Sequence, residues 1–183
     1  MIREFQGNDK IKIVEKVILV NELDEELGVM EKMQAHSLGL LHRAFSVFIF
    51  NEKNELLIQQ RAKSKYHSGG LWSNTCCSHP RQGEAVVDAA ERRLVEEMGF
   101  TTKLTKTFDF IYRKALDKGL FEHEFDHVFV GEYNNRPVVN DAEVQAFEYV
   151  NVNKLLVQID QEPHKYTEWF KISLPRVVSM INQ

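Results

Sequence analysis

A cysteine and a histidine lie two residues apart in segment 74–80, which reads Asn-Thr-Cys-Cys-Ser-His-Pro. A thiol can carry a proton or act as a nucleophile, and an imidazole can transfer a proton or bind a metal ion. A second polar segment follows at 92–100 and reads Arg-Arg-Leu-Val-Glu-Glu-Met-Gly-Phe. The pattern therefore places a thiol, an imidazole, two cations and two carboxylates within 27 residues of one another.

The second segment resembles a Nudix box, in which glutamates on one helix hold a divalent metal against a diphosphate. Where a Nudix hydrolase has Arg-Glu, this chain has Arg92-Arg93. A cation thus stands in place of a carboxylate that phosphate cleavage needs. Because the chain has lost that carboxylate and gained a thiol, we predict that a diphosphate is bound here and not cleaved.

Three carboxylates alternate along segment 121–129, which predicts a strand. Alternation puts Glu122, Glu124 and Asp126 on one face of that strand. A row of acids that faces inward is costly unless a metal ion or positive charge neutralises it. A solvated strand face explains the pattern equally well when these residues are taken alone.

Three histidines add to the carboxylates. His36 and His42 bracket a short apolar segment, and His79 ends the thiol segment. Three imidazoles and two carboxylates suit Mn²⁺, Mg²⁺, Fe²⁺ or Zn²⁺. Each histidine taken singly also fits an ordinary surface or core position.

Strands and helices must bring these groups together. Helical spacing of Ala90, Leu94 and Met98 predicts a helix over Val86–Met98, with Gly99 as its cap. Strands are predicted at 16–20, 44–50, 55–60, 107–113, 122–132 and 146–152. A helical tail is predicted from Asn153, with breaks at Pro163 and Pro175. This order predicts an α/β fold, a sandwich of helices around a mixed sheet.

Composition is ordinary for a globular enzyme. The 183 residues predict one catalytic domain over 1–183, with a segment 1–31 to which the sequence assigns no role. The net charge of −4 gives no general attraction to nucleic acid or an anionic membrane. The start, Met1 to Phe5, lacks the apolar core of a signal peptide. The adjacent Cys76 and Cys77 suit neither a disulfide staple nor a metal pair, which favours the cytoplasm.

Several motifs together resemble type I isopentenyl-diphosphate isomerase of the Nudix superfamily. The resemblance covers about three quarters of the chain, from Lys32 to Trp169. Its most specific part is the Cys-x-His-Pro motif joined to the altered box and followed by Glu-x-Glu. The other matching motifs are His36, segment 41–46, Tyr112-Arg113 and Trp169-Phe170-Lys171. The family interconverts isopentenyl diphosphate and dimethylallyl diphosphate, so the resemblance implies that activity and a Nudix-like fold.

The resemblance also implies a role for each matching residue. Cys77 and Glu124 are the expected proton-transfer groups, with Tyr112 beside the carboxylate and Trp169 over the hydrocarbon end of the substrate. The implied ligands of one inner divalent metal (Mn²⁺, Mg²⁺ or Zn²⁺) are His36, His42, His79, Glu122 and Glu124. A Mg²⁺ ion at the diphosphate is expected on Glu97. The implied cationic contacts to the diphosphate are Lys32, Arg61, Lys65 and Arg93.

The implied reaction explains why these residue types are needed. The alkene of isopentenyl diphosphate is unactivated, so a proton is added at one carbon and removed from another through a tertiary carbocation. Each proton-transfer group typically contributes 10²–10⁴-fold to the rate. Aromatic faces from Trp169 and Tyr112 can stabilise the cation by about 1–2 kcal/mol when desolvated. Water must be kept out because it would trap the cation as an alcohol.

Other interpretations of these residues remain open at this point. Trp169 also fits a plain core position, and Cys77 an inert buried thiol. Arg61 and Lys65 fit a solvated charge run, although a glycine-bearing loop at 66–72 follows them. Two rivals concern the whole protein: a Nudix hydrolase that cleaves a diphosphate, and a module that binds metal only for structure. The expected partner is a small isoprenoid diphosphate, with no nucleic acid and no membrane.

Overall fold

The computed structural model describes residues 14–181. The predicted absence of a signal peptide concerns Met1 to Phe5, which lie outside the described residues. Only residues 14–31 of the N-terminal segment are described, and they contribute two strands to the sheet. A single domain over 1–183 stays a prediction. Among residues 14–181, no helix combines the length and the apolar composition that a membrane span requires.

The described part of the chain contains nine strands and four α-helices. The strands are β1 (Lys16–Val20), β2 (Glu26–Glu31), β3 (His42–Phe50), β4 (Glu55–Arg61), β5 (Trp72–Ser73), β6 (Cys76–Ser78), β7 (Thr105–Ala115), β8 (Phe121–Glu132) and β9 (Val144–Asn151). The α-helices are α1 (Lys32–Leu38), α2 (Val86–Met98), α3 (Val152–Gln161) and α4 (Glu168–Ile181). Short 3₁₀ turns lie at Asp117–Gly119 and Pro163–Lys165.

Strand β3 is the centre of the sheet. It runs parallel to β8 over nine residue pairs and antiparallel to β1, β4 and β6. Strands β7 and β9 pair antiparallel with β8 and β4. The sheet is therefore mixed, as predicted, and its parallel pair places the start of β3 beside the acidic part of β8.

Helices cover both faces of the sheet. Phe45, Val47 and Ile49 of β3 point towards α2, where Leu94 and Met98 are buried. On the opposite face, Phe48 of β3 and Leu56 of β4 pack against α3 and α4. The helices contribute Leu155, Phe170 and Leu174 to this layer. Successive side chains of a strand point to opposite faces, so an almost wholly apolar β3 serves both layers. The predicted sandwich around a mixed sheet is confirmed.

Helix α2 spans Val86–Met98 with the bounds that the sequence predicts. Its cap, Gly99, has φ 75°, a left-handed conformation that glycine adopts at little cost. The backbone N–H of Gly99 donates to the carbonyl of Val95 and closes the helix. This sharp end fixes the last turn of α2, which carries the glutamates of the box.

Pro175 does not break the C-terminal helix, so that part of the prediction is wrong. Helix α4 runs through it from Glu168 to Ile181. Proline removes one helical hydrogen bond, but burial of Phe170, Leu174 and Val177 against the sheet outweighs this local cost. The break predicted at Pro163 is confirmed, because α3 ends at Gln161 and a 3₁₀ turn follows.

Four short elements are absent from the prediction, namely β2, α1, β5 and β6. Strand β2 has no fully buried residue and α1 has only seven residues, so neither has a clear periodic pattern. No strand is predicted in the thiol segment, but Cys76–Ser78 forms strand β6 against β3. This pairing fixes the thiol segment to the most buried strand of the sheet.

Candidate active site

A cleft at one edge of the sheet gathers most of the predicted site residues. Nine of them line it together: Lys32, Arg61, Lys65, Cys77, His79, Arg93, Glu122, Glu124 and Trp169. His36 and His42 are fully buried beside this cleft. Residues from α1, β4, β6, α2, β8 and α4 therefore meet in one place, although they are up to 137 positions apart in the sequence.

A cluster of imidazoles and carboxylates lies at the buried end of the cleft. The parallel pairing of β3 and β8 sets His42 beside Glu124, with Nε2 of the imidazole 3.6 Å from Oε1 of the carboxylate. His79 Nε2 lies 2.9 Å from the same oxygen. His36 Nε2, from α1, lies 3.4 Å from Oε2 of Glu122. All five residues that the resemblance implies as ligands of the inner metal are thus neighbours.

The orientation of this cluster fits a divalent metal ion. Nδ1 of His36 and Nδ1 of His42 each lie 2.8 Å from a backbone carbonyl, of Lys32 and Leu40 respectively. With Nδ1 used in this way, Nε2 of both rings points inward, and both Nε2 atoms are buried without a hydrogen-bond partner. Oε2 of Glu122 is unpaired in the same way. Buried polar atoms normally have partners, so these convergent ligand atoms fit a divalent metal ion that would bind to them.

Glu124 is held from several sides. The hydroxyl of Tyr112 donates to Oε2 over 2.6 Å, because the register of β7 and β8 places the two residues opposite each other. Burial acts to raise the pKa of Glu124, but its contacts with His42 and His79 outweigh burial and hold that pKa well below its usual range. Glu122 behaves in the opposite way, since burial and the charge of Glu124 raise its pKa. The two acids of the pair therefore have pKa shifts in opposite directions.

The two cysteines have different surroundings. Cys77 lines the cleft, and its sulfur lies 3.9 Å from a guanidinium nitrogen of Arg61. Burial raises the pKa of the Cys77 thiol to about 12, although the charge of Arg61 works against this. Cys76 is fully buried on the other side of β6, among the apolar residues under α2. The thiol of Cys77 is therefore protonated at neutral pH, and it lines the cleft. The thiol of Cys76 does not reach the cleft.

Trp169 belongs to both the core and the cleft. Its indole N–H lies 3.0 Å from Oγ of Ser73 and 3.1 Å from Oδ1 of Asn74. The guanidinium carbon of Arg61 lies 5.2 Å from the centre of its ring. These contacts fix the orientation of the ring, so that it forms one wall of the cleft. Trp169 is therefore a core residue that also lines the cleft, so the interpretation as a plain core residue is incomplete.

The predicted diphosphate contacts carry acidic partners. Arg93 donates to Glu96 over 2.7 Å, to Glu97 over 2.5 Å and to Glu143 over 3.2 Å. Lys65 also pairs with Glu143, and Lys32 pairs with Glu15 over 2.8 Å. Burial lowers the pKa of Lys65, with Glu97 acting in the opposite direction. A dianionic ligand would therefore have to compete with these carboxylates for the cations.

Glu97 stands apart from the histidine cluster. Its carboxylate is buried and accepts from Arg93 and, over 2.9 Å, from the side chain of Gln59. The neighbouring Glu96, to which the sequence assigns no role, accepts from both Arg92 and Arg93, so it orders the two arginines of the altered box.

Sequence reasoning missed several residues of the site. His67 and Tyr66 line the cleft, and the Lys32 ammonium lies 4.4 Å from the centre of the Tyr66 ring. Glu143 bridges Lys65 and Arg93. The glycine-bearing loop pointed to His67 and Tyr66, but no pattern in the sequence singled out Glu143, which reaches the cleft through the turn before β9.

Known proteins resemble this chain closely. The isopentenyl-diphosphate Delta-isomerase 2 of Aromatoleum aromaticum is 50% identical over 165 residues, which is 90% of this chain and 87% of that protein. The isopentenyl-diphosphate Delta-isomerase of Pectobacterium atrosepticum is 49% identical over 88% of this chain and 90% of its own length. This chain belongs to the isopentenyl-diphosphate Delta-isomerase family. The resemblance drawn from the thiol motif and the altered box is therefore confirmed.

The isomerase family shares its fold with a wider group. The NUDIX domain family matches residues 40–170 of this chain. Among solved structures, DR0079 from Deinococcus radiodurans has a TM-score of 0.75 at 19% identity and covers 88% of this chain and 98% of its own. A MutT protein from Methanosarcina mazei Go1 has a TM-score of 0.65 at 16% identity, covering 78% of this chain and 96% of its own. At these identities the likeness concerns the fold alone, and the predicted Nudix-like fold is confirmed.

Proposed function

We propose that this protein is an isopentenyl-diphosphate Delta-isomerase that interconverts isopentenyl diphosphate and dimethylallyl diphosphate for isoprenoid biosynthesis in the cytoplasm. One observation carries the proposal. The Cys77 thiol and the Glu124 carboxylate line the same cleft as the cations Arg61, Lys65 and Arg93. A site with two proton-transfer groups next to an anion-binding region suits a substrate whose diphosphate is held while its hydrocarbon end reacts.

The proposed reaction moves one proton to the substrate and one from it. A proton is added to the terminal methylene carbon, which breaks the double bond and leaves a tertiary carbocation. A second proton then leaves the carbon next to the cationic centre on the diphosphate side. The electron pair of the broken C–H bond forms the new double bond. Cys77 and Glu124 are the proposed pair, and the reverse reaction exchanges their roles. Acid–base groups of this kind each contribute about 10²–10⁴-fold.

The walls of the cleft support a cationic intermediate. Trp169 is fixed by its bonds to Ser73 and Asn74, so its ring cannot turn away from the substrate. Aromatic faces attract a cation by about 1–2 kcal/mol when water is absent. Tyr112 is tied to Glu124, and its proposed role is to hold that carboxylate in place. Because Trp169 and Tyr112 are both buried, they also help to exclude water.

The histidine–carboxylate cluster would hold the resident metal of the proposed enzyme. The proposed ligands are His36, His42, His79, Glu122 and Glu124. When bound, a divalent ion such as Mn²⁺, Mg²⁺ or Zn²⁺ supplies positive charge that sets the basicity and orientation of Glu124. The unpaired, buried Nε2 atoms of His36 and His42 support this assignment.

The diphosphate is proposed to bind at the mouth of the cleft. Lys32, Arg61, Lys65 and Arg93 supply its positive charge, and arginine can contact phosphate oxygens with two N–H groups at once. Glu97 is the proposed ligand of the Mg²⁺ that accompanies the diphosphate. Glu97 is bonded to Arg93 here, so Arg93 and the Mg²⁺ would both act on this carboxylate.

The hydrolase alternative lacks comparable support. In a hydrolase, the box would offer its carboxylates to metal and water. Here Arg93 stands at the position of one such carboxylate and pairs with Glu96, Glu97 and Glu143. A site that binds metal only for structure would not need the thiol, the buried indole and the basic mouth together.

We expect the purified protein, incubated with isopentenyl diphosphate and Mg²⁺, to form dimethylallyl diphosphate without release of inorganic phosphate or pyrophosphate. Chromatography of the five-carbon products and a colorimetric phosphate assay on the same sample measure both outcomes. Phosphate release without the allylic isomer would establish the hydrolase instead.

A further inference from the structure

His67 is a buried histidine to which neither the family motifs nor the reaction gives a role. It is 2% exposed, lies on the loop between β4 and β5, and lines the same cleft as Glu122. Its ring stands edge-on to Trp169 at 6.0 Å and is stacked on His36 at 5.7 Å. A buried imidazole in contact with a proposed metal ligand calls for a physical explanation.

The two oxygens of Glu122 face different imidazoles. Oε1 lies 3.1 Å from Nε2 of His67. Oε2 lies 3.4 Å from Nε2 of His36 and has no hydrogen-bond partner. One side of the carboxylate is thus directed at His67, while the other is directed at the proposed metal ligands.

The loop is built to direct His67 inward. Ser68 has φ 50°, a strained conformation for a residue other than glycine, and its Oγ lies 3.1 Å from Nδ1 of His67. Arg61 donates to the backbone carbonyl of His67 over 3.3 Å. A Cβ atom at Gly69 would lie 2.7 Å from the carbonyl oxygen of Lys63, so the loop folds too closely for any larger residue there.

We propose that His67 is a positioning residue that donates its Nε2–H to Oε1 of Glu122 and thereby presents Oε2 to the metal. The Ser68 hydroxyl then donates to Nδ1 and keeps the proton of the imidazole on Nε2. This inference rests on the proposed metal site and deepens it, because it adds a chain residue outside the ligand set. Partners of this kind, which bond to a ligand and not to the metal, typically change metal affinity or activity by about 10- to 100-fold.

His67 could instead bind the metal itself. Its donor atom and those of His36 and Glu122 all lie within 4.8 Å of one another. The possible ligand atoms of His36, His42, His79 and Glu124 form a second group within the same distance of one another. His67 is not part of this second group. The variants described next separate support of the carboxylate from direct ligation.

Three variants separate these roles. His67→Ala removes the ring, His67→Met fills its volume without an N–H donor, and His67→Gln keeps a donor at a similar reach. The matched control is His164→Ala, which removes an exposed histidine from the 3₁₀ turn before α4. Mn²⁺ is titrated into each metal-depleted protein, and the free ion is followed by electron paramagnetic resonance. Thermal unfolding without metal reports on the fold, and kcat and KM are measured at saturating metal.

We expect His67→Ala and His67→Met to bind Mn²⁺ about 10- to 100-fold more weakly than the wild type. His67→Gln is expected to restore affinity to within about 3-fold. Wild-type affinity in His67→Met overturns the proposal, as does a His67→Gln variant as weak as His67→Met, which would indicate a direct ligand. Because the titration uses no substrate, it remains decisive even if the wild type proves not to isomerise isopentenyl diphosphate.

Discussion

Replacement of Cys77 by alanine is expected to lower turnover at least ~10²-fold while the protein remains folded. The thiol lines the cleft beside Arg61 and is the only cysteine of the described residues that does so. Replacement of Glu124 by glutamine, which preserves shape but removes the charge, should have an effect of the same order. Steady-state kinetics with isopentenyl diphosphate measure both, and circular dichroism shows whether the fold is kept.

The neighbouring cysteine supplies the control. Cys76 is fully buried under α2 and does not reach the cleft. Cys76→Ala should therefore lower the free energy of unfolding by about 1 kcal/mol, as shortening a core side chain commonly does, and leave turnover near the wild-type value. Equal losses of turnover for Cys76→Ala and Cys77→Ala would mean that packing, and not proton transfer, accounts for the effect.

Replacement of Arg93 by glutamate should produce the second large effect, mainly as a raised KM. The change removes a proposed contact to the diphosphate and adds a fourth carboxylate to Glu96, Glu97 and Glu143. Removal of one partner of a desolvated charge pair commonly costs about 2–5 kcal/mol, which corresponds to a change of about 30- to 5,000-fold. Because the diphosphate is bound alike in ground and transition states, kcat should change less than KM.

Two controls accompany this variant. Arg93→Gln removes the charge without adding a carboxylate, so it separates the lost contact from the new repulsion. Arg136→Glu makes the same charge change at an exposed residue beside Phe147, away from the cleft, and should leave KM unchanged. Restoration of the glutamate found in hydrolases should not by itself create hydrolysis. Unchanged kinetics in Arg93→Glu would place the diphosphate elsewhere.

Much of the fold follows from local patterns. Helix α2 has a strong apolar period and a glycine cap, and both of its ends were predicted. The acidic alternation of β8 predicted that Glu122, Glu124 and Asp126 share a face but left its direction open, and their burial shows that this face points inward. Pro175 shows the limit of local rules, because a helix docked through Phe170 and Leu174 tolerates a proline that would break an isolated helix.

The site depends on contacts that no local pattern contains. His42 meets Glu124 because β3 and β8 pair in parallel, and strand pairing at a separation of 82 residues cannot be obtained from spacing. Only the resemblance to the isomerase family implied that His42 and Glu124 bind the same metal ion. The acidic partners of the cations were missed for the same reason, since Glu143 reaches Lys65 and Arg93 only through the fold.

Deuterium labelling tests the central claim most directly. The protein is incubated with isopentenyl diphosphate and Mg²⁺ in D₂O, and the five-carbon products are analysed by NMR and mass spectrometry. If Cys77 and Glu124 exchange protons with the substrate, deuterium should accumulate on carbon as the reaction runs in both directions, without release of phosphate. Carbon positions that stay free of deuterium while phosphate is released would contradict the isomerase assignment.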